Sequence, residues 1–160
     1  MAQSNAGNMA NDELHVLFHN LSGAINGIDL MSQVSVKFIT EFKLEKLEGE
    51  FKVHLSSNFK NIPVYYKSIV KKLESVVDAL TKIDAGDIGT GLKNAVNYRL
   101  GKVKKLIDNS ELLYNALLRQ NTKENLLRFA KELEKFRPIC RSMAETVKDF
   151  KEKLVARGKY

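Results

Sequence analysis

Apolar residues near the C-terminus recur at steps of three or four: Leu126, Ala130, Leu133, Phe136, Cys140, Met143, Val147, Phe150 and Leu154. That period places them on one face of a long helix, or of two helices in line. The stripe runs through Pro138 without losing phase. With Leu133 and Cys140 at heptad position a, Pro138 falls at f, the outermost position. A proline inside a helix removes one donor and costs about 3 kcal/mol, so it is tolerated best where it faces away from the core. The pattern favours one helix kinked at Pro138 and curving around a core on its other side. The plain alternative is a break, with Pro138 opening a new helix.

The same period recurs upstream. Asn11 or Asp12 can cap a first helix that carries Leu14, Leu17, Phe18, Leu21, Ile25, Ile28 and Met31 on one face. Gly23 and Gly27 lie four apart inside it; they could let another helix approach closely, but are expected rather to weaken this one. Residues 34–59 read two ways. Val34, Val36 and Phe38, then Phe51, Val53 and Leu55, alternate as a hairpin turning near Gly49 would. Leu44, Leu47, Phe51, Leu55, Phe59 and Ile62 instead recur as a helix does, out of phase with Phe38 and Phe42. Helix with a break near residue 43 is the favoured reading.

Pro63 is expected to open the next helix, with Tyr66, Ile69, Val70, Leu73, Val76, Val77, Leu80 and Ile83 on its apolar face. Gly86 suits its C-terminus, residues 84–91 read as a loop, and Thr90 can cap the helix that follows. Leu92, Val96, Leu100, Val103, Leu106, Ile107, Leu113 and Leu117 mark that helix. Gln120, Asn121 and Thr122 form a tight connection, Asn121 and Glu124 resemble a capping box, and Gly158 ends the last helix. These faces can be buried only against one another. The expected fold is therefore all-α, an up-and-down bundle of four or five amphipathic helices over residues 12–157. The small polar residues 1–11 are expected to form a disordered tail. Sustained heptad spacing would also suit a homo-oligomer.

Composition adds bounds rather than direction. A chain of 160 residues with 44% apolar and 28% charged positions fits one globular domain with a real core. Cys140 is the only cysteine, so no intramolecular disulfide forms, and its place on the stripe reads as core. The N-terminus lacks a basic segment followed by an apolar one, and no long apolar run occurs, so a cytoplasmic location is expected.

Charge is uneven: net −2 over residues 1–60, +4 over 61–110 and +5 over 111–160, within a total of +7. Such a field favours acidic partners. Lys67, Lys71 and Lys72 line one helix flank, and Arg99, Lys102 and Lys105 another. Arg128, Lys131 and Lys135, then Arg137 and Arg141, follow on the last helix. Part of this is ordinary salt-bridge decoration, as Glu124 before Arg128 and Asp149 before Lys153 suggest.

Catalytic chemistry finds few players. His15 and His19 share a helix face at metal-ligand spacing with Asp12 one turn before, but the only other histidine is His54 and the one cysteine lies on the apolar stripe. The glycines between Asp84 and Gly91 lack the lysine and hydroxyl of a phosphate-binding loop. No enzyme, metal or cofactor is expected. The expected function is a protein-interaction module that uses a helix face or groove, with a basic docking patch for an acidic partner. The alternative is binding to an anionic membrane surface through basic amphipathic helices. Nucleic acid is disfavoured, because no recognition motif or stacking pattern accompanies the basic residues.

Overall fold

The computed structural model describes the backbone of residues 2–160 and the side chains of residues 12–160. Five helical segments follow in order: α1 Ala2–Thr40, α2 Gly49–Lys82, α3 Gly86–Arg119, α4 Lys123–Glu134 and α5 Phe136–Ala156. α1 begins at Ala2, so the helix start expected at Asn11 or Asp12 lies inside it, and its backbone runs through residues 2–11 of the expected tail, whose side chains are not described.

α4 and α5 join into one long helix bent by 12°. The kinked-helix reading of Pro138 therefore holds, in a gentle form. Only Lys135 separates the two segments, and it keeps right-handed helical torsions (φ −69, ψ −17). Its amide donates to the Glu132 carbonyl at 3.2 Å, tightening the turn by one residue. Pro138 brings no donor for the Glu134 carbonyl, and it sits exposed on the outer side. Leu133, Phe136 and Cys140 stay buried on the inner side, so packing continues across the interruption.

Four helices thus form a ring. α1 packs on α2 and on α4–α5; α3 packs on α2 and on α4–α5. Backbones on the two diagonals do not approach one another among the described residues. This is an up-and-down bundle, held by the apolar stripes read from the sequence. Side chains bridge one diagonal near the end that holds the α1–α2 turn. Phe59 of α2 meets Phe129 of α4 edge-on at 5.2 Å between centroids, and Tyr114 of α3 lies 5.4 Å from each. Aromatic contacts of this kind add about 0.5–1.5 kcal/mol beyond area burial.

Residues 34–59 are helical except for the turn at 41–48, and no strand occurs among the described residues. The expected continuity from Leu44 to Phe51 is cut. Lys43 takes a left-handed backbone (φ 50), and Leu47 is tucked into the core from the turn. Pro63 does not open a helix; it lies inside α2. Leu55, Phe59, Ile62, Ile69 and Leu73 keep their phase across it and are all buried. Their burial outweighs one lost backbone bond. The expected loop at 84–91 is also shorter. Its glycines lie in the first turns of α3, and Thr90 bonds back to the Gly86 carbonyl at 3.0 Å rather than capping. A methyl on Gly91 would come within 3.0 Å of the Phe150 ring, so the absent side chain lets α5 approach.

Each end of the bundle is tied. Asn121 does not cap α4; Thr122 does, accepting from the Asn125 amide at 3.2 Å. Asn121 reaches the α1–α2 turn instead. Its Oδ1 accepts from the Leu47 amide at 2.6 Å and its Nδ2 donates to the Leu47 carbonyl. At the far end Arg157 forms a two-pronged contact with Asp87 at 2.7 and 2.9 Å, joining α5 to α3. Tyr160 folds back onto α1. Its ring packs edge-on against Phe18 at 5.7 Å, and its hydroxyl lies 2.8 Å from His15 Nδ1.

Gly23 and Gly27, alike in sequence, differ in surroundings. A methyl on Gly27 would sit 2.5 Å from the Tyr65 ring, whereas one on Gly23 meets nothing within 4 Å. Gly27 is therefore the place where α2 docks on α1, and only Gly23 is a weak point in the helix. Gly23→Ala is expected to stabilise the fold by about 0.5–1 kcal/mol. Gly27→Ala is expected to destabilise it by about 1–3 kcal/mol. Urea midpoints of the two variants check the opposite signs.

Candidate functional site

The eleven basic residues do not form one patch. Lys67, Lys71 and Lys72 belong to α2, which lies diagonally across the ring from α4–α5 and the line from Arg128 to Arg141. Arg99, Lys102 and Lys105 belong to α3, between them. Arg99 is half-buried at the α3–α5 seam, where its Nε donates to Ser142 Oγ at 2.7 Å and its Nη1 to the Ala95 carbonyl at 2.9 Å. Lys102 rests over the exposed Tyr98 ring at 4.8 Å. On α4 and its junction, Arg128 pairs with Glu124 at 2.7 Å and Lys135 with Glu132 at 2.9 Å. Lys131, Arg137 and Arg141 are exposed and form no ion pair among the described residues.

Arg137 lies at the edge of a groove between α1 and the α4–α5 line. The groove encloses about 640 Å³. Its apolar lining comes from Leu30, Val34, Val36 and Leu133, and its charges are Lys37, Glu41, Glu134 and Arg137. Leu30 is 55% exposed although its helix packs on both neighbours, because it points out of the ring rather than into it. The sequence could have signalled this: Leu30 and Val34 lie four apart, off the stripe of Leu21, Ile25 and Ile28.

A second exposed cluster was not anticipated. Phe38 and Phe42 of α1 and its following turn, with Phe51 and His54 of α2, form a ring-on-ring group at the α1–α2 end. Phe42 is 59% exposed, and Val53 close by is 67% exposed. The alternation that suggested a hairpin marked these residues without placing them outside the core.

The candidate chemical groups are occupied by structure. His15 engages Tyr160, and His19 is exposed on the same helix. No group of three or more metal-ligating side chains gathers among the described residues. Cys140 is buried, and burial pushes its thiol up to about 12, with the Asp29 carboxylate adding to the rise. No helix among the described residues is long and apolar enough to cross a membrane.

Comparison with protein-family models, curated proteins and solved structures finds no match. The class is a four-helix bundle with a joined last helix, and function has to be argued from its surfaces.

The raised thiol has a direct consequence. Thiolate is the reactive form, so Cys140 in the folded chain is expected to resist alkylation at pH 8 and to react fully in denaturant. Because the folded pKa lies above the usual 9.0, the thiol binds its proton more tightly in the folded state. Its contribution to stability is complete below about pH 9 and is lost as pH rises toward 12. Thiol titration with and without urea checks the first expectation. Comparing alkaline unfolding of the parent chain with Cys140→Ala checks the second.

Proposed function

We propose that the chain is a non-enzymatic protein-interaction module that seats an amphipathic helix of an acidic partner between α1 and the α4–α5 line. The observation that carries this reading is the groove lined by Leu30, Val34, Val36 and Leu133, with Arg137 at its edge. Apolar anchors at helical spacing fill such a groove, and charges around it set the partner's orientation. Arg141 lies one turn along α5 from Arg137, and Lys131 lies on the outer side of α4; neither spends its charge on an internal pair. An acidic flank on the partner would find these cations free. The carboxylates Glu41 and Glu134 beside Lys37 and Arg137 disfavour a partner that is uniformly anionic.

Selection from a displayed library of helical peptides tests this. Enriched peptides are expected to carry apolar residues at three- and four-residue spacing beside a Glu- or Asp-rich flank. The combined variant Arg137→Glu, Arg141→Glu is expected to weaken a selected peptide by about tenfold or more with unchanged helicity. Leu30→Glu, on an exposed position, is expected to do the same. Peptides whose binding ignores both changes would remove the groove from the account.

Anionic membrane binding is the second reading, supported by the same free cations. The apolar helix faces are turned into the ring, so contact in the closed bundle would be electrostatic. Flotation with anionic vesicles is then expected at low salt and lost at about 0.15 M, where screening shortens charge attraction to about 8 Å.

A further inference from the structure

We propose that the cleft between α2 and α3, near the α1–α2 turn, binds a small amphipathic monoanion, a medium-chain carboxylate. The site is separate from the groove between α1 and the α4–α5 line and does not depend on it. Two adjoining hollows of about 500 and 420 Å³ share Lys52, Ser56, Lys60 and Tyr114, so these four residues lie where the hollows meet. Hollows of that size suit a small molecule.

Tyr114 is the residue that points to a ligand. It is only 8% exposed, and its ring is held 5.4 Å from both Phe59 and Phe129. Its hydroxyl has no hydrogen-bond partner among the described residues and is not enclosed by them, while the residue lines both hollows. The free hydroxyl therefore faces the cleft. A phenol buried to this degree normally finds a partner.

Charge and shape set the chemistry of that partner. Lys52, Ser56 and Lys60 follow one another at steps of four on α2, so they share a face. Neither lysine forms an ion pair among the described residues. With Tyr114 they offer donors from four side chains, and a carboxylate head can accept from several at once. Glu111 lines the same cleft; two lysines against one glutamate leave a net charge of +1, which one carboxylate neutralises and a dianion overshoots. Phe59, Pro63, Ile107 and Leu118 form the apolar remainder, along which a short alkyl chain lies. Leu118 is 43% exposed, so covering it removes apolar surface from water.

Titration calorimetry of the full chain with octanoate tests the proposal, with acetate as the head alone and octanol as the uncharged chain. Saturable octanoate binding is expected, about tenfold or more tighter than either. Tyr114→Phe removes only the hydroxyl. It is expected to weaken octanoate about threefold or more and to leave thermal unfolding unchanged, since no internal bond is lost. The combined change Lys52→Gln, Lys60→Gln is expected to weaken octanoate about tenfold or more with unchanged helicity. Lys93→Gln, at an exposed position elsewhere on α3, is expected to leave it unchanged. Absence of saturable octanoate binding overturns the proposal. So does octanol that binds as tightly as octanoate, an affinity unmoved by Tyr114→Phe or by the lysine pair, or a loss that Lys93→Gln reproduces.

Discussion

The ring of helices closes only because the α4–α5 line stays nearly straight across Pro138. The backbones of α1 and α3 do not approach one another among the described residues, so the joined helix is one of two bridges between them, α2 being the other. A true break at Pro138 would release one half of that bridge and expose the inner faces of α1 and α3 together. The proline costs one backbone bond and is placed where its ring meets solvent. Burial of Leu133, Phe136 and Cys140 on either side holds the two segments in line. Pro63 follows the same logic in α2. In both bridging helices, packing along an unbroken stripe overrides a local breaker.

The ends of the ring are held by different chemistry from its middle. Asn121 grips the peptide of Leu47 from both sides, so the two turns at one end move together. Arg157 with Asp87, and Tyr160 on Phe18 and His15, tie the other end. The Arg157 guanidinium holds the Asp87 carboxyl below its usual range, yet this pair is exposed and screened. The part-buried amide clamp and the buried aromatic group of Phe59, Tyr114 and Phe129 therefore matter more for cohesion than the surface ion pair does.

Outside the core, the molecule has two faces of unlike character. The groove between α1 and α4–α5 combines apolar lining with Arg137, a cation that forms no ion pair among the described residues. The α1–α2 end is aromatic and electrically balanced. The separation follows from the chain itself, whose first sixty residues are slightly acidic and whose last hundred are strongly basic.

Periodicity alone determined the all-α class and most of the buried positions; it favoured helix over hairpin for residues 34–59 and one helix over two at Pro138, and packing decided both. The reason is that a three- or four-residue period has one structural meaning once a face must be buried. Pro63 carried the same information, since Leu55, Phe59 and Ile62 keep phase with Ile69, but as a local breaker it suggested a helix start. Local signals failed wherever a distant residue decided the outcome. Gly27 is needed because Tyr65 lies against it, Asn121 serves the Leu47 peptide rather than its own helix, and the glycines after Asp84 fit beneath α2 and Phe150. The basic residues were legible as a composition, not as a surface. Which of them share a side depends on which helices are neighbours in the ring, and that order is set by packing across the whole chain rather than by spacing within any helix.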